Sequence, residues 1–231
     1  MSSPPTKADN AAAWGLPRVL EYFDDHRSRS DDVYPSEWHF LEEQLHDGMS
    51  VLDVGCAQGG FANIIGERIS GLHYTGIDIS AEMVHRARDK FPQHNFHQVS
   101  EGSFGIDDNE QFDLVLVLGI LHLHEDWRQT ISGAWHHTRK SLILDLRETD
   151  GDTIEDKSRS AFRMNFNGGD DEYAQRWLPY NILNSDTAGK IVAELCVDAS
   201  RIRDFGYPHA VSEAADTPFQ TVTTRTYCIE Q

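Results

Sequence analysis

Ten residues, VLDVGCAQGG over 51–60, bring together Asp53, Gly55, Cys56, Ala57, Gly59 and Gly60. Apolar residues run up to Gly55 and resume at Phe61, so the glycines fall in a turn between a strand and a helix. Glycine lets the backbone approach a ligand closely, and the first N–H groups of a helix favour a negative group. Asp78 ends the next apolar run, in YTGIDIS, 19 residues past Gly59. From such a position a carboxylate accepts hydrogen bonds from both hydroxyls of a ribose. The pattern therefore points to an adenosine-containing ligand. A nicotinamide site prefers G-x-G-x-x-G, and here Gly55 and Gly60 fit while Ala57 replaces the middle glycine that admits a pyrophosphate. Asp53 interrupts an apolar strand and is costly to bury unless it accepts N–H groups of the glycine-rich loop, so it is expected to prop that loop. Cys56 sits where a small side chain suffices and is not read as a nucleophile.

A second set of chemically capable residues follows later in the chain. His122 comes just after the apolar run 112–118, where parallel sheets place their ligands. Its near-neutral pKa suits a base that removes a proton from a hydroxyl or amine, and a packed histidine of the pocket wall is the alternative. His122, His124 and Glu125 hint at a metal, but alternate residues of an extended segment point opposite ways, and no metal is expected. Arg147, in LILDLRE, is placed to hold a carboxylate or a sugar hydroxyl at the site mouth, or else to pair with Glu148 or Asp150. Tyr34 and Trp38 either close over the cofactor or pack a helical cap. Asn165, Trp177, Tyr180, Asn181 and His209 are candidate groups on the substrate side.

Apolar periods of two and 3.6 alternate along the chain, the pattern of an α/β fold. The spacing predicts helices over 17–26 and 35–46, then strand, glycine turn and helix from 51, the helix carrying Phe61, Ile64, Ile65 and Ile69 on one face up to Gly71. A strand over 73–79, a helix capped by Ser80 and a strand near 95–99 repeat the unit. The run 112–118 is apolar on both faces, as a central parallel strand requires. A helix with Trp127, Ile131 and Trp135 in register and a strand over 141–146 follow. Ser185 is expected to cap a helix, and 201–207 with 219–229 reads as a closing antiparallel hairpin. The expected architecture is a doubly wound, mostly parallel seven-stranded sheet with a C-terminal antiparallel hairpin and an N-terminal helical cap. Residues 1–13 are read as a disordered tail and 14–231 as one domain. Within it, 14–49 form the cap, 50–146 the cofactor-binding half, 147–184 a substrate-side insertion and 185–231 the closing helix and hairpin.

In this form the first motif resembles that of the class I S-adenosylmethionine-dependent methyltransferases. GIDIS with Glu82 and Met83 is similar to the family's second motif, and FDLVLVLGILHLHEDW over 112–127 to its fourth-strand segment, with Leu123 where a second histidine is usual. The family's acidic residue after the third strand falls at Glu101, followed by Gly102, although Ser100 replaces a customary glycine. The resemblance covers more than half of the chain. It implies S-adenosylmethionine as cofactor, with Gly55, Cys56 and Gly59 at its methionine end, Ala57 also in the cofactor loop, Asp78 on the ribose, and Ile79 or Met83 against the adenine. It further implies Glu101 and Gly102 near the adenine amino group, and backbone of Leu118 and Gly119 for the ammonium. Methyl transfer needs chiefly alignment of reactants and exclusion of water.

The chain has 231 residues, suited to one core, and its longest run free of polar side chains, 114–121, is far short of a membrane span. Its formal charge is −18, from 20 basic and 38 acidic residues, a field that repels phosphate backbones and anionic membranes. Five of the basic residues are Lys, and adaptation to high salt is one source of such acidity. Three cysteines without a C-x-x-C pair and no secretory signal suit a reducing, cytoplasmic setting. The expected activity is methyl transfer to an oxygen, or second to a nitrogen, of a small-molecule or sugar-like acceptor. The alternatives are an inactive cofactor-binding partner subunit and a nicotinamide-dependent oxidoreductase.

Overall fold

The computed structural model describes residues 11, 13–164 and 177–231. In chain order come α1 (Pro17–Asp25), α2 (Pro35–Gln44), β1 (Ser50–Val54), α3 (Gly60–Gly66), β2 (His73–Asp78), α4 (Ala81–Lys90) and β3 (Asn95–Gln98). There follow β4 (Phe112–Val117), α5 (Trp127–His136), β5 (Thr138–Thr149), β6 (Ala161–Arg163), β7 (Trp177–Pro179) and β8 (Leu183–Asn184). The chain closes with α6 (Ser185–Leu195), β9 (Arg201–Ala210), β10 (Ala215–Asp216) and β11 (Thr221–Glu230). The main sheet runs β3-β2-β1-β4-β5-β11-β9, with β8 pairing the end of β5. Strands β1 to β5 are parallel, β11 is antiparallel to β5, and β9 is antiparallel to β11. This is the expected doubly wound sheet with its closing hairpin.

Helices cover both faces, which is why the central strands carry no polar alternation. Leu52, Val54, Val115, Val117, Leu142 and Leu144 pack with Trp127, Ile131 and Val192 of α5 and α6. The alternate residues Val51, Leu114, Leu116 and Ile143 pack with Phe40, Phe61, Ile64 and Val84 of α2, α3 and α4. A third cluster sets Val19 and Leu20 of α1 against Met83, Leu178, Tyr180 and Val222, roofing the carboxyl ends of the strands.

Several boundaries differ from expectation. Ala13 is helical and buried, so the ordered chain begins before residue 14, while residues 1–10 and 12 lie outside the described residues. Helix α3 stops at Gly66 because the N–H groups of Arg68 and Ile69 both turn back to the Ile65 carbonyl. Strand β5 is twice the expected length, because β11 pairs with it from Ser141 to Glu148. Asn184 caps α6 in place of Ser185, its side chain accepting the N–H of Asp186 at 3.1 Å. The insertion contains β6 and β7, which with β10 of the hairpin connection make a separate three-stranded sheet. FNGGDDEY and Asn165 lie outside the described residues. Pro208, expected in the connection, sits within β9, which as an edge strand tolerates a missing N–H.

Candidate functional site

The carboxyl ends of β1, β2, β4 and β5 open into a cavity of about 780 Å³, within the range of about 300–1,000 Å³ usual for small-molecule sites. Its floor is the turn after β1. The N–H groups of Gly55 and Cys56 both donate to the Ile77 carbonyl, at 2.8 and 3.1 Å, tying the turn to the end of β2. Gly55 and Gly59 have φ of +78°, and a Cβ at Gly55 would lie 2.8 Å from the Ile120 side chain. Ala57 also occupies the left-handed region, and its N–H donates to the Asp78 carboxylate at 3.0 Å. Asp78 accepts the Ser80 N–H at 2.8 Å as well. Burial pushes its pKa up to about 6 against these backbone donors. A carboxylate has about four acceptor sites, so capacity for a diol remains.

Asp78, not Asp53, therefore props the loop. Asp53 takes the hydroxyl of Tyr74, and among the described residues it receives no loop N–H. The register explains this: β1 pairs Asp53 with Gly76, so Tyr74, two residues earlier on β2, shares its face. Burial raises the Asp53 carboxyl to about 7, with the Tyr74 hydroxyl and Arg27 opposing the rise. Cys56 packs onto Gly76, where a Cβ would come within 2.7 Å of its sulfur, and burial holds its thiol well above the usual value. It is a packing residue.

Ile79 and the buried Met83 line the cavity beside Asp78, and Glu101 and Gly102 line it further along, with Glu101 4.0 Å from His124 Nδ1. Leu118 and Gly119 line the turn after β4. The Gly119 N–H is committed to Asp145, so at Gly119 the carbonyl is what can meet an ammonium.

At the far end stand His122 and Arg147. His122 lies in the 3-10 turn Leu121–Leu123, is 6% exposed, and its Nδ1 has no hydrogen-bond partner among the described residues. Burial, then the charge of Arg147, holds its pKa well below the usual histidine value, so the ring is neutral at pH 7. Its ring meets Tyr180 edge-on, centroids 5.6 Å apart. Arg147 is buried within β5, not at a mouth, and pairs with Asp145 two residues before it on the same face. Glu148 points to the opposite face, where it takes Arg225 at 2.7 Å and the Tyr227 hydroxyl at 2.5 Å. Burial raises the pKa of the Tyr180 hydroxyl, and the charge of Arg147 opposes the rise.

The other substrate-side candidates divide. Tyr180 and His209 line the cavity. Asn181 instead pins the turn, donating to the carbonyls of Leu121 at 3.2 Å and His124 at 2.8 Å. Trp177 is capped by Arg163, 4.7 Å from its ring centroid. Tyr34 lines the cavity, while Trp38 packs beneath Arg68.

Two residues unmarked in the sequence complete the site. Arg27 lines the cavity at φ +60°, with a bidentate grip on the buried Glu37 at 2.8 and 3.1 Å and its guanidinium 5.1 Å from the Tyr34 ring centroid. Asp145 bridges the turn after β4 and Arg147. A charge inside the apolar run LILDLRE was the available signal for Asp145; Arg27, between two helices, carried none.

A glycine turn after β1, a carboxylate ending β2 and a roofed cavity define a nucleoside-binding protein of Rossmann-like fold. Residues 52–141 match the family model for a methyltransferase domain. A trans-aconitate 2-methyltransferase of Rhodopseudomonas palustris is 31% identical over 85 residues, 37% of this chain and 31% of that protein. A probable (S)-tetrahydroprotoberberine N-methyltransferase of Papaver bracteatum is 27% identical over 117 residues, 48% of this chain and 33% of that one. The chain thus spans about a third of the length of these curated relatives. The crystal structure of an S-adenosylmethionine-dependent methyltransferase from Clostridium acetobutylicum shares the fold, with TM-score 0.53 and 14% identity, covering 87% of this chain and 93% of that one. Residues 52–141 are thus similar to a methyltransferase domain, and the fold is one shared with S-adenosylmethionine-dependent methyltransferases. The cofactor of that family fits the residues present: a diol at Asp78, apolar walls at Ile79 and Met83, an ammonium at the carbonyls of the turn after β4. Among the described residues no helix is long and apolar enough to cross a membrane.

Proposed function

We propose that the protein transfers the methyl group of S-adenosylmethionine to an oxygen of a small polar molecule, sugar-like acceptors included, with nitrogen second. One observation carries this reading: a single cavity joins the Asp78 end to the end walled by His122, Arg147 and Tyr180. The cofactor supplies an electrophilic methyl. In this reading Asp78 holds the ribose hydroxyls, Ile79 and Met83 flank the adenine, and Glu101 with Gly102 reads its amino group. Arg27 faces the carboxylate and the carbonyls of Leu118 and Gly119 face the ammonium. At the other end His122, neutral at Nδ1, accepts the proton of the acceptor hydroxyl as the new O–C bond forms and the S–C pair returns to sulfur. The relatives' names divide between trans-aconitate and an alkaloid nitrogen, so the acceptor atom is chosen by the wall around His122 and Arg147 rather than by the shared motif.

Calorimetry with S-adenosylmethionine, S-adenosylhomocysteine and NAD tests the cofactor. Micromolar binding of the first two is expected, weakened about 100-fold by Asp78→Ala, a loss of roughly 3 kcal/mol. Binding of NAD alone would overturn the reading. With an acceptor found by screening for S-adenosylhomocysteine release, His122→Ala should lower turnover by about 100-fold, the contribution typical of a general base, with cofactor affinity preserved. Unchanged turnover removes His122 as base. No product with any acceptor, together with a copurifying protein, would instead favour an inactive cofactor-binding subunit.

A further inference from the structure

We infer that the acceptor end of the cavity is built for a small hydroxy acid, its carboxylate on the Arg147 guanidinium and its hydroxyl on His122 Nδ1. The inference rests on the proposed function and adds the class of substrate.

Three observations support it. First, Arg147 is a buried cation on the cavity wall and is already oriented: Asp145 holds one Nη, and the charge acts on the neighbouring Tyr180 hydroxyl. A guanidinium has five donors in a fixed fork, so the pairing with Asp145 directs it without exhausting it, and a carboxylate is the group that a fork fits. Second, Nδ1 of His122 is a buried polar atom with no partner among the described residues, on a ring that lines the cavity. An atom of this kind is costly unless a ligand satisfies it. Held neutral, the ring can keep one nitrogen unprotonated, and what satisfies an unprotonated nitrogen is a donor such as a hydroxyl.

Third, both groups share the cavity wall with Tyr180, His122 through an edge-on ring contact and Arg147 through its charge acting on the Tyr180 hydroxyl, so they flank one side chain. Two groups that close call for a small molecule with its hydroxyl and carboxylate near one another.

The test needs no turnover. Calorimetry with S-adenosylhomocysteine is followed by titration of the loaded protein with glycolate, lactate, malate and citrate, with succinate and glycerol as probes that each lack one group. At least one hydroxy acid should bind at least tenfold more tightly than either control. Arg147→Lys keeps the charge and the pairing with Asp145 but loses the fork; it should weaken that hydroxy acid about tenfold while S-adenosylhomocysteine changes less than threefold. His122→Asn should weaken the hydroxy acid and leave succinate unchanged. If S-adenosylhomocysteine binds and none of the hydroxy acids does, or if Arg147→Lys leaves their affinity unchanged, the inference fails alone. If S-adenosylhomocysteine does not bind, the cofactor reading fails and takes the inference with it.

Discussion

Two buried carboxylates with raised pKa values stand at the ends of neighbouring strands, and their surroundings give them opposite consequences. Asp78 is surrounded by backbone N–H groups and remains ionised above about pH 6. If its carboxylate holds the ribose, as proposed, cofactor affinity should be level from pH 7 to 8 and fall as pH drops below 6; affinity flat down to pH 5 would argue against that role. Asp53 has a phenol for partner, and its folded pKa of about 7 lies above its ordinary value of 3.8. The folded state binds this proton more tightly than the unfolded chain, so its stabilising effect is complete below pH 3.8 and is lost as pH rises through 7. Asp53→Asn keeps an acceptor for Tyr74 and removes the buried charge. It should raise the melting temperature at pH 8 by several degrees, a ΔΔG of about 1 kcal/mol or more, and have less effect at pH 5; a lower melting temperature at pH 8 would show that the charge is used. The place of Asp78 was legible in the sequence because it ends an apolar run at a fixed distance from the glycine turn. The partner of Asp53 was not, because it depends on which residue of β2 lies across the ladder, and Arg27 was hidden because only the packed cap brings it to the cavity.

The elements were legible wherever a periodic apolar run met a capping or turn residue, as at Ser80, whose hydroxyl accepts the Met83 N–H at 3.4 Å. They were misjudged where partners in space extend them. Beyond Leu146 the residues of β5 are polar and look like loop, yet β11 pairs through Glu148 and β8 pairs the last two residues, so the strand carries Arg147 into the site. The close approach of the cap to α3 was equally invisible. A Cβ on Gly60 would lie 1.8 Å from the Arg27 carbonyl oxygen, a backbone atom that cannot swing aside. Gly60→Ala should push the segment around Arg27 off the first turn of α3, with a cost of about 1–3 kcal/mol typical of overpacking and a cofactor affinity lowered about tenfold. Thermal melts and calorimetry on the one variant measure both, and a variant with unchanged affinity would mean that the Arg27 segment does not help to hold the cofactor.

Taken whole, the molecule carries a charge of −18 over a site that gathers three arginines, Arg27, Arg147 and Arg163, among its acids. Screening shortens the reach of repulsion from about 10 Å at 0.1 M salt to about 3 Å at 1 M. The exposed ion pairs of Asp24 with Arg86 and Lys90 contribute little by comparison. The melting temperature should therefore rise between 0.05 and 1 M KCl, and a fall would mean that ion pairs outweigh the net repulsion. The small sheet β10-β6-β7 has a consequence for how such proteins diversify. It is assembled from two stretches of chain, β6 and β7 before α6 and β10 after β9, so the wall facing the acceptor is written twice in the gene with structural sequence in between. A recombination crossover between residues 185 and 210 would join halves of two different walls and lose the pairing of Ala215 with Phe162. If that wall selects the acceptor, as proposed, a chimera keeps one parent's acceptor range only when both stretches come from that parent.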